Sequence, residues 1–315
     1  MARNSPIARP NVTRVRAKPV IREHRIPTSD CGPYIAIEGQ DGNLWFCENR
    51  ASKIGCFDTR TGEFCEFALP GDSMPVGIAA DAGGDLWFTE KAGNRIGRIS
   101  LSGAIAEYAL PTAKSGPDGI VLGPDNNVWF SEGDADCIAR ITPDGSVTEF
   151  SAGITPGSRP LSIVVRDGAL WFSEAGGGRV GCMTVDGRVT EFQIPTPDSQ
   201  PRAMALHPDG SIWFVETGAN ALGRIAADGT IEEFAIATPN ASARSVAVTA
   251  DGELWFTENF ANKIGRMDAS GAMIGEYDIP TSTSGARCIT AMSDGRLFFT
   301  QYDAGLIGEI IGSEL

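Results

Sequence analysis

All six tryptophans of this chain stand 42 residues apart, and this period constrains the fold more than any other feature of the sequence. The six are Trp45, Trp87, Trp129, Trp171, Trp213 and Trp255. Each lies in a phrase like Leu-Trp-Phe-Thr-Glu, and a degenerate seventh copy at residues 297–301 follows 43 residues after the sixth. A fixed period of this length indicates one supersecondary unit that is repeated and stacked.

The copy at residues 76–111 shows what one unit contains. Four short β-rich runs are separated by turns that contain Gly, Asp and Pro, which is typical of hairpins. Four strands in about 42 residues is typical of a propeller blade. The last copy has only three strands, and residues 21–28 match the fourth strand at residues 189–196. We therefore predict an all-β, seven-bladed β-propeller with four-stranded blades, closed by an N-terminal strand that completes the last blade.

Seven copies of one unit would share one core, so we predict a single propeller domain over residues 20–315. Residues 1–19 are predicted to be a flexible tail, which lacks the apolar central region of a secretory signal. A formal net charge of −14 argues against nucleic-acid binding, because that affinity depends on Lys and Arg. No run approaches the roughly 20 apolar residues of a membrane span. The seven cysteines contain no CxxC pair, which favours free thiols in a reducing compartment. We expect a cytoplasmic monomer without nucleic-acid or membrane partners.

The repeated tryptophan and the glutamate that follows it have a structural interpretation. Six equivalent tryptophans cannot all be catalytic, and a large ring on the second strand fills the space between blades. The glutamate three residues later recurs as Glu48, Glu90, Glu132, Glu174, Glu216 and Glu258. We expect most of these carboxylates to cap loop N–H groups, with one or two adapted to a ligand.

The phrase at residues 254–266, Leu-Trp-Phe-Thr-Glu-Asn-Phe-Ala-Asn-Lys-Ile-Gly-Arg, resembles the blade motif of the streptogramin B (virginiamycin B) lyases. The Pro-Asp-Gly turns and the Glu-Phe-Gln-Ile-Pro-Thr-Pro ending at residues 191–197 are similar too. The resemblance extends from residue 21 to the C-terminus and implies a seven-bladed propeller. It also implies a magnesium-dependent lyase, which opens a cyclic depsipeptide by elimination across an ester C–O bond.

The resemblance implies catalytic groups in the last two blades, and this chain has other residues at those positions. The family has a His in Pro-His-Ala-Ile, a Glu and a His in Glu-Pro-His-Gly-Ile, and a Glu after the final aromatic strand. Arg244 stands at the first His, Gly285 and Arg287 stand at the Glu and the second His, and the final strand ends without Glu. The chain's two histidines, His24 and His207, are expected at the surface and away from this face. We therefore do not expect streptogramin cleavage. Magnesium is implied by the resemblance alone, and from the residues we expect no cofactor and no metal site.

The residue just before each first strand should line the mouth of the central channel, one from each blade. In chain order these residues are Tyr34, Val76, Asp118, Leu161, Arg202, Arg244 and Arg287. Three consecutive blades thus place an arginine at one equivalent position, and Arg159 stands two residues before Leu161. Arginine binds carboxylate or phosphate through two hydrogen bonds, and a channel mouth focuses its charge. This pattern favours a pocket for a small anion. The alternative is that the arginines pair with Glu174, Glu216 and Glu258 and merely hold the blades together.

A catalytic channel mouth would need an acid or base beside the arginines, which would stabilise enolate-like charge in place of a metal. The candidate catalytic residues are Arg244, Arg287, Tyr302 and Glu258. The candidate substrate-binding residues are Arg159, Arg202, Tyr34, Asp118 and Asp303. The predicted function is that of a lyase-like enzyme, which acts on a small anionic or lactone-bearing molecule by proton abstraction with elimination or isomerisation. The alternative is a non-catalytic propeller that binds a small molecule or a protein.

Overall fold

A computed structural model describes residues 18–312, which form seven four-stranded antiparallel sheets. The first strands of the sheets contact one another in a closed ring, so the sheets surround a central channel. This arrangement confirms the predicted all-β, seven-bladed propeller. Within the described range no helix is long and apolar enough to cross a membrane. Residues 1–17 of the predicted tail lie outside the described residues.

The strands follow the predicted blade pattern, and we number the blades 1 to 7 in chain order. The chain begins with β1 (Val20–Arg25). Blade 1 consists of β2 (Pro33–Glu38), β3 (Leu44–Glu48), β4 (Lys53–Phe57) and β5 (Phe64–Ala68). Blade 2 consists of β6 (Pro75–Ala80), β7 (Leu86–Glu90), β8 (Arg95–Ile99) and β9 (Ile105–Ala109). Blade 3 consists of β10 (Pro117–Leu122), β11 (Val128–Glu132), β12 (Cys137–Ile141) and β13 (Val147–Phe150).

The remaining blades repeat this order. Blade 4 consists of β14 (Pro160–Arg166), β15 (Ala169–Glu174), β16 (Arg179–Met183) and β17 (Val189–Gln193). Blade 5 consists of β18 (Pro201–Leu206), β19 (Ile212–Glu216), β20 (Ala221–Ile225) and β21 (Ile231–Ala235). Blade 6 consists of β22 (Ala243–Val248), β23 (Leu254–Glu258), β24 (Lys263–Met267) and β25 (Met273–Asp278). Blade 7 contains β26 (Ala286–Ala291), β27 (Leu297–Gln301) and β28 (Leu306–Ile311).

The N-terminal strand closes the ring, as predicted. β1 is the outer strand of blade 7 and pairs antiparallel with β28, from Val20 opposite Ile311 to Arg25 opposite Leu306. Pairing of the two ends of the chain in one sheet closes the ring, and β1 covers the edge of β28 that a three-stranded blade would expose.

The tryptophans are core residues between blades, as predicted. Trp213 in blade 5 is fully buried against Val246 and Phe256 of blade 6, and the other five tryptophans are also buried. Each tryptophan ring also lies beside an aromatic ring on the fourth strand of its own blade, such as Phe234 beside Trp213 at 5.0 Å. In blade 7, Phe298 takes the tryptophan position and packs against Phe57 of blade 1. The 42-residue period therefore reflects one packing unit that holds neighbouring blades together.

Candidate functional site

The residues predicted to ring the channel lie in an irregularity that every first strand shares. In blade 6 the pairing of β22 with β23 shifts between Ala243 and Val246, so Arg244 and Ser245 have no strand partner there. A shift of this kind re-aims side chains away from the sheet. Equivalent shifts occur in the other six blades. The bulge explains why the arginines face the channel instead of a neighbouring strand.

The Ser or Thr of the repeated phrase holds this bulge in place. The Thr257 hydroxyl accepts a hydrogen bond from the Ser245 N–H at 3.1 Å and donates to the carbonyl of Arg287 in the next blade at 3.2 Å. Thr300 makes the same link from the Cys288 N–H to the Tyr34 carbonyl. In blades 6 and 7 the motif thus fixes the backbone of the channel residues relative to the next blade, whereas blades 1 and 5 have Cys47 and Val215 at this position.

The ring positions line one cavity of about 140 Å³ at the centre of the propeller. Of the seven predicted ring residues, the cavity is lined by Tyr34, Asp118, Leu161, Arg202, Arg244 and Arg287. The exception is Val76, which is buried, and the adjacent Gly77 lines the cavity in its place. Isoleucines from the first strands, such as Ile78 and Ile120, form the apolar part of the wall.

Three arginines of this cavity, Arg202, Arg244 and Arg287, are here called the rim arginines. The Nε atom of each is buried and has no hydrogen-bond partner within residues 18–312. Burial, together with the charges of Arg202 and Arg287, lowers the pKa of Arg244 to about 10, and burial also lowers the pKa of Arg202. The Arg244 guanidinium therefore remains charged at neutral pH. Three like charges converge on the cavity, whose described wall contains one carboxylate, that of Asp118, and Asp118 is itself paired with Lys91.

The alternative, in which the arginines pair with Glu174, Glu216 and Glu258, is not what the structure shows. Glu174 Oε2 instead lies 3.0 Å from Arg179 Nε in its own blade. Glu216 and Glu258 are fully buried and do not line the cavity. The repeated glutamates are therefore not the partners of the rim arginines.

The repeated glutamates turn into their own blades, so the expectation that they cap loop N–H groups is wrong. Gly223 on β20 leaves room for this turn, because a Cβ there would collide with Glu216 Oε1. Gly223 lies opposite Glu233 on β21, and both oxygens of the buried Glu216 carboxyl have no hydrogen-bond donor within the described residues. Burial first, and then the neighbouring Glu233 carboxyl, raise the pKa of Glu216 to about 9.

The same pairing of a second-strand and a fourth-strand acid recurs in the other blades, and we call these groups the carboxyl pairs. Burial, followed by the charge of Glu276, raises the pKa of the candidate Glu258 to about 7. In blade 7 the second-strand residue is Gln301, whose Nε2 donates to Glu23 Oε1 at 3.0 Å. Glu258 is thus placed in a repeated structural position away from the cavity.

Tyr34 and Asp118 bring an acid and a base to the cavity. Burial, together with the charge of Asp118, raises the pKa of Tyr34, so the phenol is protonated at neutral pH. Asp118 is the only carboxylate among the described residues that line the cavity, and its Oδ2 lies 2.9 Å from Lys91 Nζ of blade 2. The sequence analysis did not identify Lys91. The sequence feature that could have identified Lys91 is a basic residue in the loop just after Glu90.

Tyr302 and Asp303 lie at the rim and not in the cavity wall. The Tyr302 ring centroid is 4.6 Å from the Arg287 guanidinium carbon and 4.2 Å from that of Arg50. The Tyr302 hydroxyl donates to Asn49 Oδ1, and Asp303 forms an ion pair with Arg50 at 2.8 Å. These contacts support Arg287 from outside the cavity, and the sequence analysis missed Arg50.

Arg159 and the histidines lie outside the cavity as well. Arg159 lines a neighbouring surface pocket of about 360 Å³ between blades 4 and 5, whose wall includes Arg202. His24 on β1 lies 3.0 Å from Glu309 Oε2. His207 is buried instead of exposed as expected, because its Nε2 contacts the Gly252 carbonyl of the adjacent blade at 3.0 Å.

The residues at the mouth do not fit a magnesium ion. Mg²⁺ requires oxygen ligands, chiefly carboxylates and water. Arg244 and Arg287, which stand at the two catalytic His positions that the resemblance implied, bring guanidinium groups with buried, unpartnered Nε atoms to this mouth. Within residues 18–312 no group of three or more His, Cys, Asp or Glu side chains is arranged to hold a metal ion. All seven cysteines have free thiols, and Cys31 and Cys288 near the mouth are buried.

Comparisons with known proteins agree on one family. The family model described as "Virginiamycin B lyase family" matches residues 6–206 and 155–314. The structure of selenomethionine-substituted virginiamycin B lyase from Staphylococcus aureus is 36% identical, with a TM-score of 0.88, over 93% of this chain and 99% of that chain. A catalytically inactive variant of that lyase with quinupristin gives the same values. Kuenenia stuttgartiensis hydrazine synthase, at 16% identity and a TM-score of 0.75 over 91% of this chain and 97% of that one, shares the fold alone. No match was found among curated proteins.

Proposed function

The chain belongs to the virginiamycin B lyase family, and from that premise we propose that it is a lyase-like or isomerase-like enzyme for a small anionic or lactone-bearing molecule. The substrate's negative charge would lie in the central cavity against the rim arginines. The reaction would be proton abstraction followed by elimination or isomerisation, without a metal ion. The site would act in the cytoplasm, in a monomeric protein.

One observation carries this proposal, namely three half-buried guanidinium groups that line one cavity, with buried Nε atoms that have no hydrogen-bond partner among the described residues. A buried charge without a partner is strongly unfavourable, since desolvation is not offset by Coulomb attraction. An anionic ligand would remove this penalty. It would also accept the planar, paired hydrogen bonds that arginine forms with carboxylate or phosphate.

The elimination can be written with the side chains that the cavity provides. The Asp118 carboxylate takes the proton from the carbon next to the substrate's carboxyl or carbonyl group. The electrons of that C–H bond form an enolate, whose charge the rim arginines stabilise. The carbon–oxygen bond at the next carbon then breaks as the new double bond forms. The leaving oxygen takes a proton from the Tyr34 hydroxyl, and solvent later returns the protons to their starting positions.

The Asp118–Lys91 ion pair favours the second candidate, a propeller that binds an anion without turnover. Lys91 Nζ, at 2.9 Å, already occupies one oxygen of the only carboxylate in the described cavity wall. If this pair persists with a ligand bound, the cavity keeps its anion-binding groups and has no free base. The two candidates share the binding site and differ in product formation.

A thermal-shift screen tests the site that both candidates share. Wild type and Arg244→Ala are compared with small carboxylates, phosphates and lactones, with and without magnesium. A ligand that binds the native state raises the melting temperature by mass action. We expect an anion to stabilise the wild type, and we expect Arg244→Ala to lose that stabilisation whether or not magnesium is present.

Arg188→Ala is the matched control, because it removes the same charge from an exposed arginine that pairs with Asp186. This variant should respond to anions as the wild type does. If no anion stabilises the wild type, or if Arg244→Ala responds equally, the proposal fails. Product analysis by NMR on the best anion then separates enzyme from binding propeller.

A further inference from the structure

A second chamber opens beside the central cavity, between blades 5 and 6. It has a volume of about 370 Å³, against about 140 Å³ for the cavity. Its wall includes Arg202 and Arg244, and both of these residues also line the cavity. The two spaces therefore share two of the rim arginines, so one ligand can contact both.

The size of the two spaces argues that a ligand extends beyond the cavity. Small-molecule sites in proteins usually have volumes of about 300 to 1,000 Å³. The central cavity is below that range and the chamber falls within it. A charged group fits the cavity, and the remainder of a larger molecule would need the chamber.

Phe260 makes this chamber different from its equivalents in other blades. It stands in the loop after β23, and its side chain is among the most exposed large apolar groups of the described chain, at 75%. The same loop position in the other blades holds Arg50, Ala92, Asp134, Gly176, Gly218 and Asp303. An aromatic residue thus occurs at this position only beside the chamber.

On the blade 5 side, opposite Phe260, the chamber wall has a glycine at the equivalent loop position. Gly218 is the equivalent loop residue of blade 5, and a Cβ there would collide with the Asp198 carbonyl oxygen. The loop of blade 5 therefore lies close to the Asp198 backbone and carries no side chain at this point. Gly218 and Phe260 both line the chamber, and the Phe260 ring centroid lies 6.0 Å from the Arg244 guanidinium carbon.

We propose that this chamber is a second subsite, which binds an aromatic or other planar apolar group of an anion whose charge lies against the rim arginines. This inference rests on the proposed function. Phe260 would stack with the planar group, and the side chains of Gln200 and Asn240 in the chamber wall would bind its polar substituents. The neighbouring pocket at Arg159 is less suited, since its described wall contains Asp198 and no aromatic residue. The substrate class is therefore an aryl-bearing organic anion.

Two pairs of probe anions test the subsite. Propionate is compared with 3-phenylpropionate, and methyl phosphate with phenyl phosphate, by ligand-dependent thermal shift on the full chain. An aromatic contact contributes enough for about a 3- to 10-fold change in affinity. In the wild type, we expect the phenyl-bearing anion of whichever pair binds to have an affinity at least about 3-fold higher than that of its smaller counterpart. Phe260→Ala should remove this preference and leave the affinity for the smaller anion unchanged.

Two further variants separate stacking from general effects. Phe260→Tyr keeps the ring and should retain the preference. Leu206→Ala removes another exposed apolar side chain, 46% exposed at the end of β18, and should also retain it. If the small anions bind but the phenyl members bind no tighter, or if Phe260→Ala keeps the preference, the subsite is refuted and the proposed function stands. If none of the four anions binds, both proposals fall.

Discussion

The rim arginines and the carboxyl pairs are two sets of like charges that the propeller treats in opposite ways. Each carboxyl pair lies inside a blade and repeats around the ring, whereas the rim arginines lie on three consecutive first strands. Most of the carboxyl pairs are offset by a cation or a hydrogen-bond donor of the chain. The Nε atoms of the rim arginines have no hydrogen-bond partner within the described residues, and the one carboxylate in the described cavity wall, Asp118, is paired with Lys91. Repeated charge that is balanced internally is structural, and local charge that is left unbalanced indicates a ligand.

Three features of the chain offset the negative charge of the carboxyl pairs. A third-strand cation contacts the pair in four blades, and these cations are Lys53, Arg95, Arg179 and Lys263. The fourth-strand acid accepts hydrogen bonds from a threonine of the preceding blade, as Glu276 does from the Thr238 N–H and hydroxyl. In blade 7, Gln301 replaces one acid and takes the place of its protonated form. The rim has none of these features.

The largest expected effect distinguishes catalysis in the cavity from anion binding alone. Asp118→Asn should lower turnover of the most stabilising anion by about 10²- to 10⁴-fold, because it removes the proposed general base. Binding of that anion should be unchanged or tighter, since a negative charge leaves the cavity. NMR product assays and thermal shifts measure the two quantities separately. Wild-type turnover in the variant would remove Asp118 from the mechanism.

Arg244→Met tests directly whether the rim charge is unbalanced. Methionine keeps an apolar stem and removes a partly buried charge, so the unliganded protein should become more stable by about 1 to 2 kcal/mol. The same variant should lose anion-dependent stabilisation. Urea denaturation without ligand provides the first quantity, and Arg188→Met is the control. A loss of stability comparable to that of breaking a buried ion pair would mean that Arg244 is balanced within the chain.

Glu216→Gln tests the carboxyl pairs in the same way. The pKa of Glu216 rises from its ordinary 4.5 to about 9 in the folded protein, so its contribution to stability is lost as the pH rises through this interval. Glutamine does not titrate and copies Gln301. We expect the variant to be more stable than the wild type at pH 8.5 by about 2 kcal/mol, with a smaller difference at pH 6.

Urea denaturation at the two pH values measures this change. Glu174→Gln is the matched control, because Glu174 is paired with Arg179 whereas blade 5 has Ala221 at that position. The control should gain less stability, since it loses an ion pair. Equal differences at pH 6 and pH 8.5 for Glu216→Gln would show that Glu216 is ionised in the folded state.

The sequence predicted what repeats and missed what depends on contacts between different parts of the chain. The tryptophan period specified seven blades, and equivalence in sequence placed Arg202, Arg244 and Arg287 around one cavity. The direction of Glu216 depends on the space left by Gly223 on another strand, which the phrase around Trp213 does not contain.

For the same reason, the repeat pattern could not predict the contacts of individual side chains. Lys91 reaches Asp118 across a blade boundary, and His207 is buried by a turn of the next blade. Such contacts depend on side-chain reach in three dimensions. They do not recur at the 42-residue period, so no period reveals them.

The smallest expected effect concerns Arg50, an arginine at the same mouth that is balanced within the chain. It forms ion pairs with Asp30 at 2.9 Å and Asp303 at 2.8 Å and lies over the Tyr302 ring. Because such partly exposed contacts contribute little, Arg50→Ala should lower the free energy of unfolding by only about 0.5 to 1 kcal/mol. Anion affinity should change by less than about twofold, because a guanidinium group that is already paired with carboxylates attracts a further anion only weakly. Urea denaturation and thermal shift measure both, beside Arg244→Met. If Arg50→Ala weakened anion binding as much as Arg244→Met, internal pairing would not distinguish a structural arginine from a ligand-binding one.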